Sequence, residues 1–258
     1  MQRSSGQEQA QRDALAKVPA VTLGFWAVKI LATTLGETGG DSVSMSMGLG
    51  YLAATLVFAA VFLAFVAAQV RAREFRPWLY WSTIIATTTV GTTLADFADR
   101  SLGIGYPGGA SLLLALVLLS LFVWYRVMGS VAVESVNNPG AEVFYWVTIM
   151  FSQTLGTALG DWTADSIGLG YIGAVLVFGG LLLVVGAGYF WTSMPRSTLF
   201  WAAFILTRPL GAALGDFLDK PVTAGGLAFS RYEASGILFA CILLGVLALP
   251  QRAARSAH

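Results

Sequence analysis

Residues 145–171 read YWVTIMFSQTLGTALGDWTADSIGLGY, and this stretch decides the fold because related copies occur four times in the chain. The other copies begin at Phe25, Tyr80 and Phe200. Each copy opens with an aromatic–Trp pair, has a glycine ten residues after the Trp, and has an aspartate five residues later. The glycines are Gly36, Gly91, Gly156 and Gly211, and the aspartates are Asp41, Asp96, Asp161 and Asp216. Such fixed spacing indicates a duplicated structural unit.

The repeat spacing also shows how the duplications are nested. The four Trp residues are 55, 65 and 55 positions apart, so the two halves repeat with a period of 120. Two successive duplications therefore predict four units, at about 20–75, 76–130, 140–193 and 194–250. If each unit contains two helices, all four share one orientation, as in transporters with parallel repeats. We expect the four aspartates to approach a common axis.

Composition indicates a membrane protein. The chain has 258 residues, 56% of them hydrophobic and 11% charged, whereas soluble domains carry about 25% charged residues. A spanning helix needs roughly 20 mostly apolar residues. The sequence predicts an all-α polytopic bundle of eight transmembrane helices, with consecutive helices packed as antiparallel neighbours. The predicted spans lie near 20–42, 48–70, 78–98, 106–128, 143–165, 169–191, 198–218 and 234–250, between polar cytoplasmic tails at 1–19 and 251–258.

The distribution of Lys and Arg predicts the orientation. Ten of these residues fall on one side of the predicted bilayer, three (Arg100, Lys220 and Arg231) fall on the other, and Lys29 and Arg208 fall inside spans. The positive-inside rule then puts both termini in the cytoplasm. The aspartates are expected near the outer ends of the odd-numbered spans.

The repeats resemble those of uncharacterised bacterial integral membrane proteins built from a repeat of unknown function. The resemblance lies in KILATTLGETGGD (29–41), the G-D and G-L-G-Y elements, and TRPLGAALGD (207–216) followed by Lys220-Pro221, and it covers residues 17 to 250. It implies the four-unit architecture and a bacterial inner membrane, and it brings no activity with it.

Several function classes are excluded by composition. The net charge of +1 offers no basic field for nucleic acid. Cys241 is the only cysteine and His258 the only histidine, so the chain has no His/Cys metal site, no intrachain disulfide and no Ser-His-Asp triad. With no identifiable nucleophile, we expect a protein that is not an enzyme.

Acidic residues in the repeats are the candidate site. Charges within a bilayer cost at least about 2.5–3.5 kcal/mol each, so acids there need water, a cation or basic partners. The predicted cation ligands are Glu37, Asp41, Asp96, Asp161 and Asp216, with Thr33 adding a hydroxyl. The secondary candidates, Asp99, Asp165 and Asp219, have the alternative role of ending helices at the interface.

Two intramembrane cations are the predicted charge partners of these acids. Lys29, Thr33, Glu37 and Asp41 follow each other at i+4 spacing and share one helix face. Arg208 aligns with Thr33 in the repeats. We expect Lys29 and Arg208 to neutralise the acids when no substrate is bound. Both depart from the repeat pattern, as does Glu37, and these departures are where a symmetric scaffold becomes a particular site.

The repeat glycines and aromatic residues have structural interpretations. Pairs such as Gly156 and Gly160 allow close helix packing; alternatively, the odd-numbered helices break near the acids and free backbone carbonyls as ligands. Trp and Tyr residues at span ends are expected to be anchors at the membrane interface.

An oxygen-only ligand set suits hard cations. The leading prediction is an ion-coupled transporter for a divalent or trivalent metal with protons as counter-ion, exporting rather than importing. Alternatives are a proton-coupled carrier of a small organic anion held by Lys29 and Arg208, an intramembrane enzyme, and a scaffold. No cofactor is expected beyond a bound hard cation. The expected partners are the lipid bilayer and a small ion or molecule, and the chain is a monomer or a homodimer.

Overall fold

The structure is a computed structural model that describes residues 17–254, and its long elements are all α-helices. The all-α prediction is confirmed; the predicted tails at 1–16 and 255–258 lie outside the described residues. The helices are α1 (Leu23–Asp41), α2 (Tyr51–Arg71), α3 (Pro77–Asp96), α4 (Tyr106–Met128), α5 (Pro139–Asp161), α6 (Gly170–Trp191), α7 (Arg196–Asp219) and α8 (Arg231–Ala248).

Five of these helices, α2, α4, α6, α7 and α8, are long and apolar enough to cross a bilayer, so the chain is a membrane protein. In the most apolar window of α2, α4, α6 and α8, only 11–22% of the residues are buried, whereas 67% are buried in that of α7. Helices α1, α3 and α5 have 19, 20 and 23 residues and are also mostly buried. Their many Thr and Gly residues face protein, which removes the need for an apolar surface.

The helices form a ring within a ring. Helices α1, α3, α5 and α7 are the central helices; each packs on the next, and α7 closes the ring on α1. Each peripheral helix packs mainly on the central helix that follows it, α2 on α3, α4 on α5 and α6 on α7, while α8 packs on α1. The expectation that all consecutive helices are packed neighbours is therefore wrong for α1–α2, α3–α4 and α5–α6. The packed pair is offset by one helix from the sequence repeat.

The repeat glycines make the central ring compact. A Cβ on Gly36 would overlap Thr88 of α3, and one on Gly211 would overlap Thr33 of α1. One turn further along, a Cβ on Gly215 would lie 2.6 Å from Glu37 Cβ. Contacts that advance together along both helices show that the central helices are parallel. Small residues at these positions let the backbones approach closely.

Three of the central helices end in the same two features, a π-helical turn followed by a G-x-G segment. A π-helical turn directly follows Asp41, Asp96 and Asp161, so the regular α-helix ends at these acids while the helical path continues; release of backbone carbonyls as ligands stays a prediction. The G-x-G motif then supplies two glycines with φ between 66° and 78° in each connection, a region that side chains disfavour. In the fourth repeat Pro221 follows Lys220 directly after α7, and no π turn forms there.

The aromatic pairs that begin the repeats are not anchors at a membrane interface, and that prediction is wrong for most of them. Trp81, Trp146, Tyr80 and Tyr145 are at most 2% exposed, and the Tyr80 and Tyr145 hydroxyls lie 2.7 Å apart. We call the eight residues of these pairs the aromatic layer; their rings touch across the amino-terminal ends of all four central helices. The layer is apolar core because parallel helices bring equivalent residues to one level. Its members are Phe25, Trp26, Tyr80, Trp81, Tyr145, Trp146, Phe200 and Trp201.

A short packed segment covers the same end of the ring. Lys17 Nζ lies 2.6 Å from Glu142 Oε1 of α5 and donates to the Val70 carbonyl at 3.2 Å. Pro19 pairs with Ala253 in an isolated antiparallel bridge. The described parts of the predicted tails, 17–19 and 251–254, therefore pack against the bundle.

Candidate ion site at the carboxyl ends of the central helices

A buried ion pair lies at the centre of the ring. Arg208 of α7 is fully buried, and its Nη2 lies 2.9 Å from Glu37 Oε2 of α1. The same nitrogen lies 2.5 Å from the hydroxyl oxygens of Thr92 on α3 and Thr157 on α5, while Nη1 donates to the Thr33 carbonyl at 3.2 Å. The guanidinium thus contacts all the other central helices. Glu37, Thr92 and Thr157 each follow a repeat glycine, so one level of the fourfold scaffold supplies the acceptors.

The four repeat aspartates are buried one turn further along and are bridged in pairs by two cations. Arg100 Nε lies 2.8 Å from Asp96, and its Nη2 lies 3.7 Å from Asp161. Lys220 Nζ lies 2.9 Å from Asp41 and 2.8 Å from Asp216. Each cation binds the aspartate four residues before it and that of the next central helix.

These two bridges are related by the half-repeat of 120 residues, since Arg100 and Lys220 are 120 positions apart. Burial alone would lower the pKa of Lys220, but the Asp216 and Asp41 carboxylates outweigh it and raise that pKa above its usual range. Lys220 therefore remains a cation among these acids at any physiological pH. Its side chain is only 14% exposed.

Three carboxylates come close enough to share a metal ion. One oxygen each from Glu37, Asp41 and Asp216, which we call the acidic triad, lies within 4.8 Å of the others, and all three residues are buried. Such oxygens are the ligands that Mg²⁺, Ca²⁺ and Mn²⁺ prefer. The predicted five-acid set is divided: Asp96 and Asp161 lie outside this group, because Arg100 joins them separately.

The helix ends add to the negative potential at this site. Each α-helix carries roughly half a negative charge at its carboxyl end. Four parallel central helices direct these ends to the same side as the aspartates. The helix ends and the aspartate carboxylates both produce a negative potential, which favours cations at this end of the ring.

Thr33 and Lys29 make their hydrogen bonds to groups other than the acids. The Thr33 hydroxyl donates to backbone carbonyls, among them Ile30 at 2.9 Å, and Thr33 lies one helical turn before Glu37 of the acidic triad. Lys29 Nζ donates to Thr207 Oγ1 at 3.4 Å and lies 4.0 Å above the Phe204 ring. No described carboxylate lies within ion-pair distance of Lys29, because the acids occupy levels nearer the carboxyl ends of the helices.

The secondary candidates differ from one another. Asp219 is buried and lies 3.0 Å from Arg231 Nε. Asp99 is half-buried, and its Oδ1 has no hydrogen-bond partner among the described residues. Asp165 is exposed, as expected for an acid at a helix end. It lies one position later in its repeat than the other two, which explains the different environment.

Sequence reasoning placed Arg100, Lys220 and Arg231 outside the spans and did not assign them to the site. A signal was present, because Arg100 and Lys220 follow repeat aspartates at i+4. Thr92 and Thr157 were also missed, although both directly follow a repeat glycine, as Glu37 does.

Comparison with known families identifies the repeat itself. Residues 24–75, 79–130, 144–194 and 199–256 match the family model described as "Repeat of Unknown Function (DUF347)". The chain belongs to this family. The resemblance to proteins built from a repeat of unknown function is confirmed, with four repeats across the chain. Comparisons with curated proteins and with solved structures found no match.

Proposed function

We propose that this repeat protein is an ion-coupled membrane transporter for a hard metal cation, with protons as the counter-ion and all eight helices crossing the membrane. The supporting observation is the acidic triad, in which Glu37, Asp41 and Asp216 place carboxylate oxygens within 4.8 Å of one another among buried surroundings. Three carboxylates in so small a volume repel each other strongly. A divalent or trivalent cation relieves this repulsion.

The basic side chains around the acidic triad suggest how a metal ion and protons are exchanged. In the structure Lys220 joins Asp41 and Asp216, and Arg208 holds Glu37. An entering metal ion takes the position of the Lys220 ammonium between the two aspartates, and the flexible lysine moves out toward the surface. When the metal leaves, the lysine returns or the carboxylates take up protons. Competition between metal and protons for the same oxygens couples the two fluxes, in the direction of export under our proposal.

Thermal unfolding of the purified protein in detergent tests cation binding. We expect Mg²⁺, Mn²⁺ or Ca²⁺ to raise the melting temperature relative to Na⁺ at equal ionic strength, since a ligand that binds only the folded state stabilises it. Asp216→Asn should abolish the shift, whereas the exposed control Asp165→Asn should retain it. Lys220→Met should lower the metal concentration needed, because it removes the competing ammonium.

Transport is tested in proteoliposomes carrying a pH-sensitive dye. Movement of the metal in one direction should acidify the compartment it leaves, and Asp216→Asn should stop both fluxes. If no metal shifts the melting temperature, or if the shift persists in Asp216→Asn, the proposal is wrong.

Carriage of a small organic anion is a second candidate, favoured by one observation. Lys29 is buried with no described carboxylate beside it, so it is available to a substrate carboxylate. This alternative predicts stabilisation by a small carboxylic acid, lost in Arg208→Ala, with no response to metals.

A further inference from the structure

A second polar layer lies deeper in the ring, between the Arg208–Glu37 pair and the aromatic layer. Three of its residues, Thr88, Gln153 and Arg208, occupy the same position, three residues before the repeat glycine. Each is 0% exposed. The Arg208 guanidinium contacts α1, α3 and α5, so a side chain at this position reaches toward the ring axis.

Many polar atoms of this layer have no partner in the described protein. They include the Thr88 hydroxyl, Arg208 Nε and both amide atoms of Gln153; the hydroxyl of Ser152, one residue before Gln153, is also unpartnered. A buried polar group without a hydrogen bond costs about 1–3 kcal/mol. Five such atoms at two adjacent repeat positions are too many for a well-packed core. They need hydrogen-bond partners from bound water or from a ligand that the protein surrounds.

The chemistry of the layer is that of a donor set. Lys29 Nζ reaches Thr207, the residue that precedes Arg208, so its ammonium lies next to the same level. Lys29 and Arg208 Nε offer only donors, and Gln153 and the two hydroxyls can donate as well. The carboxylate of Glu37 is bonded to Arg208 Nη2 and Thr92, on the side toward the acids. Lys29 is left as a buried cation with no described counter-charge.

We propose that this layer binds a small monovalent anion such as chloride, coordinated by Lys29, Gln153 and Arg208 Nε. An anion supplies acceptors to the unpartnered donors and balances the Lys29 charge. The site is enclosed, with the aromatic layer on one side and the Arg208–Glu37 pair on the other. The site is separate from the acidic triad and does not depend on its proposed role.

Anion-dependent stability tests the site. In full-length protein in detergent, replacing potassium gluconate by potassium chloride or bromide at equal concentration should raise the melting temperature by about 2 °C or more, as linkage requires for a ligand specific to the folded state. Lys29→Met should abolish this response and should be at least as stable as the wild type in gluconate, because it removes an uncompensated buried charge. Gln153→Leu should weaken halide affinity at least tenfold.

Matched variants separate this site from the cation site. Lys220→Met also removes a cation from the central ring, but one that is partly buried and bridges Asp41 and Asp216, and it should keep the full halide response. Asp216→Asn should lose the metal response and keep the halide response. If the metal response is absent and the halide response present, the transport proposal fails and the anion site stands.

Bromide soaked into crystals of the wild-type protein gives a second measurement. An anomalous peak between Lys29 Nζ and the Gln153 amide is expected. Equal melting temperatures in gluconate and halide, a halide response that survives in Lys29→Met, or no bromide peak at this position would each overturn the proposal.

Discussion

At the scale of single residues, the sequence predicted that specificity lies at three positions that depart from the repeat pattern: Lys29, Glu37 and Arg208. Two of them, Glu37 and Arg208, form one ion pair between α1 and α7. Their meeting follows from the closure of the central ring, which brings the last repeat beside the first. Spacing alone could not predict this contact, because it fixes the level of a residue and not the order of the helices around the ring.

Lys29 shows the limit of such reasoning. It shares a helix face with Glu37 and Asp41, yet its ammonium contacts Thr207 and Phe204 of the neighbouring helix. The sequence indicates that Lys29 is deep, but not which groups of α7 lie beside it. Arg100 and Lys220 show the opposite error. Hydropathy placed both residues in loops outside the spans, but in the structure they pair with buried acids.

The buried pair makes a prediction about stability. Arg208→Met should reduce the free energy of unfolding by about 3–5 kcal/mol, because it leaves the Glu37 carboxylate buried without a cation. The double variant Arg208→Met, Glu37→Met should recover most of this loss. The Thr92 hydroxyl can still donate to the backbone carbonyl of Thr88 in its own helix, at 3.2 Å, so no new unpartnered group appears there.

Denaturant unfolding in detergent measures both variants and completes a double-mutant cycle. Exposed Arg126→Met is a control for the loss of a positive charge and should change stability by less than about 0.5 kcal/mol. Additive losses in the double variant would mean that the two side chains do not act as a pair.

At the scale of helices, the repeat glycines are packing positions, as one of the two sequence interpretations held. Three π turns after the repeat aspartates change the helix geometry there, while the other interpretation, a break that frees backbone carbonyls as ligands, stays a prediction. Both follow from one motif: the glycines bring helices together, and the acids end the regular segment. The sequence predicted the helices and the levels of their residues, whereas the offset packing of each peripheral helix on the following central helix depends on connector geometry.

A glycine substitution tests the packing. Gly211→Ala should reduce the free energy of unfolding by about 1–3 kcal/mol, because its methyl group overlaps the Thr33 side chain and backbone carbon of α1. Gly179→Ala in peripheral helix α6 is the matched control, since nothing lies within 4 Å of a Cβ there. The control should be neutral or stabilising by up to about 1 kcal/mol from helix propensity. Equal effects at the two positions would contradict close packing of α7 on α1.

At the scale of the whole molecule, the parallel repeats put different chemistry at the two ends of the central ring. Aromatic rings close the amino-terminal ends, and buried acids with bridging cations occupy the carboxyl ends. The repeats predicted that equivalent residues share a level, and this gave the position of the acids. The same reasoning applies to the aromatic pairs, but a hydropathy argument about single helices placed them at the lipid interface. Equivalent positions in parallel repeats are better read together than one helix at a time.

The proposed topology can be tested with single cysteines in a Cys241→Ser background. Met47, Leu102 and Ile167 are exposed, follow α1, α3 and α5, and should be labelled by a membrane-impermeant maleimide on intact cells once changed to Cys. Met194 follows α6 and is similarly exposed; Met194→Cys should be labelled only after permeabilisation, which makes it the matched control for Met47→Cys.

The same labelling experiment also determines whether the less apolar helices α3 and α5 cross the bilayer. Helix α2 separates Met47 from the start of α3, so Leu102 can return to the outer side only if α3 spans the membrane. Helix α4 separates Leu102 from the start of α5 in the same way, so labelling of Ile167 from outside requires α5 to span. Labelling of Leu102→Cys or Ile167→Cys only after permeabilisation would leave the buried, Thr-rich helices outside the membrane-crossing set. The four repeat aspartates would then have no fixed side of the bilayer, and the proposed metal–proton exchange at the acidic triad would be wrong.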